Sequence, residues 1–383
     1  MLHTSEDPVF YNNIQGINRD MSIQVIKLFS EVLEQERMDR YIVRLARSEA
    51  ESDSNVLAPP TGITVLEGLA ATGLRSVRYV QEIPSIKSLV LNDFSAEATN
   101  TAEKTLKYNG IDMEKIRITN RDANSLMYEH KDSAKSFDVI DIDPYGSSAP
   151  FLDAAVQAVS GDGGLLCLTC TDYATLCGNQ SATSLARYGT VNFRTGFKAE
   201  VALRTLLNAV DTAANRYSRY IVPWMSVSID FYVRVFVRVF KSQHEAKNSL
   251  LKRLMLFHAE DCPSFHTHAL GRVKPRANFK PVPNVVEVPA VCQETGGRWK
   301  MGGPFWGGPL HHQGVVDELL LRVNTARLSQ DAALLSPLPV GESHAQRSPV
   351  PETVISTTVP DNAETPTPAP IASSHPHPIP TAK

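Results

Sequence analysis

Apolar residues along the chain recur in two spacings, one typical of amphipathic helices and one typical of buried strands. Between residues 21 and 34 they return every three or four positions, which predicts a helix that Asn18 or Asp20 can cap. From Ile63 onward, short apolar runs alternate with helical stretches. The predicted strands are 63–66, 89–91, 116–118, 137–140, 165–168 and 223–240, and the predicted helices between them end at Pro84 or cover 95–110, 150–159 and 193–217. This alternation predicts an α/β fold with a parallel sheet that helices cover on both faces.

The last of these strands alternates strictly over residues 231–240, with mainly valines on one face and aromatic residues and arginines on the other. Arg234 and Arg238 lie on that second face. Two interpretations are open. The face contacts RNA, or the helix that precedes the strand covers it and the arginine side chains pack underneath.

The regular alternation stops after Lys241, and the composition changes again near the end of the chain. We predict a first domain over residues 1–245 and a smaller α+β domain over residues 246–335. Residues 336–383 hold eleven of the 25 prolines and no Phe, Trp or Tyr. Such a segment cannot bury enough apolar surface to fold, so we predict a disordered tail.

The composition excludes several classes of protein. With 42% hydrophobic and 21% charged residues the chain has enough apolar material for a core, which excludes disorder throughout. No apolar run is long enough to span a bilayer, so we expect no membrane-spanning helix. Residues 1–7 are largely polar and partly acidic, unlike a secretory signal or a transit peptide, which predicts an intracellular protein. We expect the five cysteines to be reduced.

The net charge of −3 at pH 7 conceals an uneven distribution. Residues 187–253 hold twelve Lys and Arg against four Asp and Glu. A basic tract in a neutral to acidic chain is typical of a surface that meets phosphate groups, which predicts a nucleic-acid partner. A solvated charged face on ordinary helices explains the charge distribution equally well.

Acidic side chains follow the first three predicted strands, where a doubly wound fold binds a nucleotide. In the turn within Leu66–Arg75, Gly68 allows a ligand to approach the backbone closely, and Glu67 is placed to meet a charged group on it. Asp93 ends the next strand, where an acid commonly holds ribose hydroxyl groups, and Asp122 follows the third strand, within reach of an adenine edge. Any one acid alone would be interpreted as a helix N-cap, but three strand ends along one crevice favour a binding site.

The most specific motif follows the fourth predicted strand and reads Asp141-Ile142-Asp143-Pro144-Tyr145-Gly146. Its Asp-Pro-Tyr part resembles the loop of enzymes that methylate exocyclic amino groups. A base amino nitrogen is a poor nucleophile because its lone pair is delocalised into the ring, so a catalyst has to orient that lone pair. Asp143 and a neighbouring carbonyl can accept the two N–H hydrogens, while Tyr145 stacks on the base and Pro144 fixes the turn. We predict these three residues as catalytic; the alternative is a tight turn without a catalytic role.

Several segments taken together resemble the tRNA guanine-26 N2-dimethyltransferases. They are Phe10–Asn12, Asn18–Asp20, Leu66–Arg75, Asp141–Gly146, Phe151–Ala155, Thr169–Asp172 and Asp230–Val235. The resemblance implies a class I, Rossmann-like methyltransferase domain, S-adenosyl-L-methionine as the cofactor and tRNA as the partner. It also implies that Asp143 holds the target amine. The residues that it assigns to cofactor binding are Arg19, Arg75, Asp93, Asp122 and Ala123. Arg19 can pair with the methionine carboxylate of the cofactor through its guanidinium.

The chain departs from the family pattern in three places. It begins close to Phe10, so we expect that the family segment before it, which helps to close the cofactor pocket, is absent. The two Cys-x-x-Cys pairs of the family are reduced to Cys262 and Cys292, with Ala259 and Thr295 at the partner positions. Because structural zinc takes four Cys or His ligands, we predict no metal. The proline-rich tail replaces the expected continuation of the small domain.

From the residues and the resemblance together we predict an enzyme that transfers methyl groups from S-adenosyl-L-methionine to N2 of guanine 26 in tRNA, giving N2,N2-dimethylguanosine. The methylated nitrogen loses its proton readily, so no strong catalytic base is needed. Two alternatives stay open: an amino-methyltransferase that acts on another acceptor, and an inactive or weakly active tRNA-binding protein. A nuclear or cytoplasmic location is predicted ahead of a mitochondrial one.

Overall fold

A seven-stranded sheet with helices on both faces forms the larger part of the structure. The structure is a computed structural model that describes residues 15–51, 59, 61–132, 134–274 and 280–335. The helices are α1 (Gly16–Glu51), α2 (Leu74–Glu82), α3 (Ala96–Tyr108), α4 (Ala123–Glu129), α5 (Leu152–Ala158), α6 (Tyr173–Leu176), α7 (Ser181–Tyr188), α8 (Lys198–Asn215), α9 (Gln243–Asn248) and α10 (Gln313–Leu335). The strands are β1 (Ile63–Glu67), β2 (Ile86–Asp93), β3 (Ile116–Asn120), β4 (Val139–Ile142), β5 (Asp162–Cys170), β6 (Arg219–Ile229), β7 (Tyr232–Lys241), β8 (Arg253–Ala259), β9 (Phe265–Ala269), β10 (Gly271–Lys274), β11 (Lys280–Pro283) and β12 (Trp299–Trp306).

The strand order in the main sheet is β3-β2-β1-β4-β5-β7-β6. The first five strands of the chain are parallel, as predicted, whereas β7 runs antiparallel to both β5 and β6. Only Asp230 and Phe231 separate β6 from β7, and so short a connection can join only antiparallel neighbours. The α/β prediction is therefore confirmed, with an antiparallel hairpin added at one edge.

Each face of the main sheet buries its own apolar cluster. Helices α1, α2 and α3 pack over one face, which includes Val65, and helices α4, α5 and α8 pack over the other, which includes Leu66. These two neighbours in β1 point to opposite faces because successive strand side chains alternate. Both faces are thus covered, as the near-continuous apolar runs of the central strands predict.

The arginine-bearing face of β7 lies under α1. Arg238 donates to both carboxylate oxygens of Glu36 in α1 at 2.7 Å, and its guanidinium lies over the rings of Phe29 and Trp224. Arg234 is completely buried on the same face. The packed interpretation of these arginines is confirmed, and the interpretation of this face as an RNA contact is wrong. The cover is α1, longer than the helix predicted at 21–34, and not the helix that precedes the strand.

Residues after β7 form two small antiparallel sheets and a last helix, with strand orders β12-β8-β9 and β10-β11. Val191 and Gly303 exchange two backbone hydrogen bonds of 3.0 and 2.7 Å, which join β12 to the segment before α8. The chain as far as Gln330 forms one compact unit. The domain boundary at residue 245 stays a prediction, and the predicted tail at 336–383 lies outside the described residues.

None of the helices in the described ranges combines the length and the apolar character that a membrane-spanning helix needs.

Candidate active site

The turn between β1 and α2 needs glycine at two positions for steric reasons. A Cβ atom on Gly68 would lie 2.6 Å from Cδ1 of Ile142 in β4, so a larger residue there would require the Ile142 side chain to move. Gly73 adopts a left-handed φ of 71°, and a Cβ atom there would lie 2.8 Å from the Cβ atom of Ala102 in α3. The glycines of this motif therefore bring β1, β4 and α3 together around the turn.

Asp93 connects the end of β2 to this turn. One of its carboxylate oxygens accepts a hydrogen bond from the Ala71 amide and the other accepts one from the Ser95 amide, both at 2.9 Å. Asp122 caps α4, since its Oδ1 accepts a hydrogen bond from the Ser125 amide at 2.8 Å. These acids follow neighbouring parallel strands, so they lie along the same edge of the sheet. Their assignment to cofactor binding stays a prediction.

Ala123 is the first residue of α4, directly after the N-cap residue Asp122, and it is buried. Phe94, directly after Asp93, is 76% exposed beside this edge of the sheet. The sequence pattern did not predict an exposed aromatic ring at this position. The only indication in the sequence was an aromatic residue directly after the acid that ends β2. Arg19 lies half-buried in α1, one turn before Ser22.

The Asp-Pro-Tyr loop leaves β4 at this same edge. Its far end is held to the residues after β5, because the Gly146 amide donates to Oγ1 of Thr171 at 2.7 Å and the Gly146 carbonyl accepts from the Thr171 amide at 2.8 Å. The Asp143 side chain is 21% exposed, whereas Tyr145 is 79% exposed. The loop thus presents a partly shielded carboxylate and an open aromatic ring to the same crevice.

A buried cluster of charged and hydroxyl groups lies directly behind this loop. Arg75 of α2 is bound to Asp143 through a short ion pair, and its other terminal nitrogen lies 3.8 Å from Oδ2 of Asp141. Arg234 of β7 contacts both oxygens of Asp141, at 3.0 and 3.1 Å. Ser22 of α1 accepts hydrogen bonds from Arg75 at 3.0 Å and from Arg234 at 2.8 Å. Four elements of the fold therefore contribute to one network.

Sequence reasoning assigned no role to Asp141, Arg234 or Ser22. Asp141 stands inside the quoted motif, and Arg234 stands inside an alternating strand, so both had a sequence signal. Ser22 had none beyond its place in a helical pattern. The contact that joins them spans 212 positions of the chain between Ser22 and Arg234, a separation that no local pattern reports.

The two carboxyl groups nearest the turn and the loop are shifted in opposite directions. Burial raises the pKa of Glu67 to about 8, although a hydrogen bond from Ser76 opposes the shift. Burial acts to raise the pKa of Asp143 as well, but the charges of Arg75 and Arg234 and a hydrogen bond from Thr169 outweigh it and hold that pKa below its ordinary value. At neutral pH Glu67 is therefore protonated and Asp143 is an anion, which suits one to donate and the other to accept hydrogen bonds.

The small sheet brings the two remaining cysteines of the family motif together. The sulfur atoms of Cys262 and Cys292 lie 3.6 Å apart, and Thr295 bonds to the side chain of Asp261 at 2.9 Å. Ala259 is a buried strand residue with no metal-binding atom. Within the described ranges, no group of three His, Cys, Asp or Glu side chains is arranged to hold a metal ion. Two thiols do not fit a structural zinc ion, which takes four ligands.

Comparisons with known proteins identify relatives of this chain in sequence and in structure. Residues 2–338 match the family model described as N2,N2-dimethylguanosine tRNA methyltransferase. The chain is 40% identical over 355 residues to the mouse tRNA (guanine(26)-N(2))-dimethyltransferase, which covers 85% of this chain and 53% of the mouse protein. It is 36% identical over 353 residues to the mitochondrial enzyme of that name from Saccharomyces cerevisiae, covering 85% of this chain and 61% of the yeast protein.

Among solved structures, Trm1 from Pyrococcus horikoshii in complex with S-adenosyl-L-methionine matches with a TM-score of 0.63 and 25% identity, over 83% of this chain and 74% of that one. The chain spans about half the length of the mouse and human relatives that it matches. With its motifs, its class I α/β sheet and these matches, the chain belongs to the N2,N2-dimethylguanosine tRNA methyltransferase family.

Proposed function

We propose that this protein transfers methyl groups from S-adenosyl-L-methionine to N2 of guanine 26 in tRNA, giving N2,N2-dimethylguanosine. The observation that carries the proposal is the ionised Asp143 at the crevice, held by Arg75 and followed by the exposed Tyr145. The names of the mouse and yeast relatives support guanine 26 as the target. The alternatives are another amine acceptor, or tRNA binding without catalysis.

The residues at the edge of the sheet fit a nucleoside with an aminoacid tail. Asp93 and Asp122 follow β2 and β3, where carboxylates suit ribose and adenine, and Gly68 leaves the turn without a side chain beside them. Arg19 supplies a guanidinium group for the carboxylate of the tail, whereas Arg75, predicted for the same carboxylate, is bound to Asp143 and Ser22. Glu67 in its protonated form supplies a hydrogen-bond donor, and Ala123 lines the edge. When bound, S-adenosyl-L-methionine supplies a methyl group attached to a sulfonium sulfur, and that methyl group is transferred as the equivalent of a methyl cation.

Asp143 orients the acceptor. Its carboxylate accepts a hydrogen bond from the guanine amino group, which aims the nitrogen lone pair at the methyl carbon while Tyr145 stacks on the base. The N–C bond forms as the S–C bond breaks, and the nitrogen then releases one proton to solvent or to the carboxylate. Pro144 offers no N–H group that could compete for Asp143. A guanine inside the tRNA core has to be turned outward to reach the loop.

The test is nucleoside mass spectrometry of unmodified tRNA after incubation with the protein and S-adenosyl-L-methionine. We expect N2,N2-dimethylguanosine in a transcript with guanine at position 26 and none when that base is replaced. Asp143→Ala should lower the rate about 10²- to 10³-fold, as removal of one positioned catalytic group does. Asp162→Ala is the control and should leave the rate unchanged. Asp162 is the first residue of β5, so it lies at the opposite end of the strands from Asp143.

The same incubation with labelled S-adenosyl-L-methionine and tRNA, DNA or protein as acceptor, together with a tRNA-binding measurement, separates the alternatives. Methyl transfer to adenine or to a protein amide would replace the guanine proposal with another acceptor. Binding of tRNA without any transfer would favour the binding protein. A nuclear or cytoplasmic location stays our prediction, although one relative is named as a mitochondrial enzyme.

A further inference from the structure

Arg234 is a completely buried arginine that the reaction described above does not use. Its Nη1 donates to Oγ1 of Thr169 at 2.6 Å, and its Nη2 donates to Ser22 at 2.8 Å and to Asp141 at 3.0 and 3.1 Å. Its Nε has no hydrogen-bond partner among the described residues. Burying an arginine with an unsatisfied N–H group is costly, so a role in stability alone is a weak explanation for this residue.

Two short chains of contacts lead from Arg234 to Asp143. In the first, the Thr169 hydroxyl accepts from Arg234 at 2.6 Å, and its interaction with the Asp143 carboxylate lowers the pKa of that group. In the second, Arg234 holds Asp141, which lies 3.8 Å from Arg75, and Arg75 binds Asp143. Both chains end at Asp143, so Arg234 is connected to its carboxylate through two different neighbours.

The charges of the cluster are balanced only when Arg234 is present. Two guanidinium groups, of Arg75 and Arg234, face two carboxylates, of Asp141 and Asp143. Without Arg234 a single guanidinium would be shared between two carboxylates. Asp141 is the deeper of the two, at 1% exposure, so it would draw Arg75 away from Asp143. The other titratable groups around the cluster are Glu67 and Cys167 on strands β1 and β5, Tyr79 on α2, Tyr145 in the loop and Tyr232 on β7.

We propose that Arg234 is a positioning residue for methyl transfer, which fixes the Asp143 carboxylate through Thr169 on one side and through Asp141 and Arg75 on the other. The inference rests on the proposed function. Arg234 touches neither the acceptor base nor the cofactor in this role. Its effect is on the placement of Asp143 and on the pH at which Asp143 takes up a proton.

Arg238 is a matched control on the same strand and the same face. It is buried to 4% exposure, binds Glu36, and donates from Nε to the Gly163 carbonyl at 2.6 Å. Its hydrogen bonds and ion pairs go to Glu36 and Gly163 rather than to Asp141 or Asp143. Loss of either arginine removes a buried ion pair, so both should lower the melting temperature, but only Arg234 should alter catalysis.

The experiment measures kcat for tRNA methylation against pH for Arg234→Met, Arg234→Lys, Arg238→Met and the wild type. We expect Arg234→Met to lower kcat by about 10²-fold, the usual cost of a misplaced catalytic group. The acid limb of the profile, where kcat falls as Asp143 takes up a proton, should move to higher pH, because loss of the nearby positive charge raises the pKa of Asp143. Arg234→Lys restores the positive charge but not the planar set of guanidinium donors. The acid limb of its profile should therefore return toward the wild type while kcat stays reduced. Arg238→Met should keep the wild-type kcat and limb.

Thr169→Val is a second variant that keeps the arginine and removes only the hydroxyl route, and it should lower kcat and move the limb in the same direction. The inference is overturned if Arg234→Lys and Thr169→Val keep the wild-type kcat and pH profile, or if Arg238→Met changes them equally. Carbon NMR of the Asp143 carboxyl, assigned with Asp143→Asn, follows the same titration without any turnover. A wild type that fails to methylate tRNA, but whose Asp143 titration moves upward in Thr169→Val and Arg234→Met, would reject the proposed function and keep the positioning role.

Discussion

Glu67 and Asp143 follow adjacent strands of one sheet, yet the protein places them in opposite protonation states. Glu67 has a hydroxyl partner and almost no exposure, so burial decides its state. Asp143 has a guanidinium partner and a second arginine behind it, so positive charge decides its state. A pair of carboxyl groups separated in this way can act as donor and acceptor at the same pH. The burial of Glu67 and the contact between Arg75 and Asp143, and not the residue types alone, produce the difference.

The pH dependence of stability should carry the signature of Glu67. Because its pKa rises from 4.5 to about 8 on folding, the folded protein keeps a proton that the unfolded chain releases between these values. The free energy of unfolding therefore receives its full contribution below pH 4.5 and loses it, by about 1.4 kcal/mol per pH unit, as the pH rises through the folded pKa.

Glu67→Gln removes this titration, so its melting temperature relative to the wild type should rise steadily from about pH 5 to about pH 8. Thermal unfolding at several pH values measures the difference. Glu82→Gln, which alters an exposed ion pair with Arg78, is the control and should change the melting temperature little at every pH. A constant difference for Glu67→Gln would show that Glu67 is ionised in the folded protein.

Asp93→Ala should weaken the binding of S-adenosyl-L-methionine by about 1.5–3 kcal/mol, the value of a hydrogen bond to a charged group. This corresponds to roughly a 10- to 160-fold rise in Kd, which isothermal titration calorimetry can measure. Asp112→Ala is a matched control, because Asp112 accepts from the amide two residues onward at 2.9 Å, as Asp93 does. Equal Kd values for the wild type and Asp93→Ala would remove Asp93 from the pocket.

At the scale of elements, the buried cluster behind Asp143 depends on helix α1 near the start of the chain and on the β6–β7 hairpin far from it in sequence. Helix α1 crosses the face of β7, where Glu36 binds Arg238 and Arg37 binds Asp138 at 2.6 Å. Ser22, nearer the start of the same helix, accepts hydrogen bonds from the two arginines of the cluster. In the hairpin of β6 and β7, β7 runs antiparallel to β5, and its Arg234 contacts Asp141 of β4. Each element has a structural role, and together they build the support of Asp143.

The small sheet after β7 should hold no stoichiometric zinc. Its two sulfur atoms are close, but Ala259 and Thr295 offer no thiolate to complete a tetrahedral set. Elemental analysis of protein purified without chelator should detect far less than one zinc ion per chain, and added chelator should leave the melting temperature unchanged. Zinc near one ion per chain that disappears with Cys262→Ala would revive a mixed site with histidine ligands.

At the scale of the whole molecule, the last helix returns to the first. Val315 and Leu319 of α10 join the apolar cluster that α1 forms with the sheet, and Arg322 binds both oxygens of Glu31 at 3.0 and 2.7 Å. The first and the last helix therefore pack together although they lie far apart in the sequence. The part of α10 as far as Arg322 thus belongs to the cover of the main sheet.

Removal of residues 336–383 should leave the melting temperature and the methylation rate within error. The segment is rich in proline and has no Phe, Trp or Tyr, so we expect no contribution to the core. Removal of residues 313–383 is the comparison and should lower the melting temperature clearly, because Val315 and Leu319 are buried. A clear drop with the shorter deletion alone would mean that part of a folded domain had been interpreted as a tail.

The sequence by itself determined the elements that depend on neighbours in the chain. Spacings of two and of three to four residues identified the strands of the main sheet and most of the helices that cover it, but none of the individual elements after β7. The positions of Asp93, Asp122 and Asp143 at strand ends predicted one crevice. The tertiary structure decided which of these groups touch and in which protonation state they stand. Arg234 was open to two interpretations until α1 was found over it, and Arg75 was predicted for the cofactor before it was found on Asp143. The physical reason is that period and turn chemistry are local, whereas burial and charge pairing depend on residues that only folding brings together.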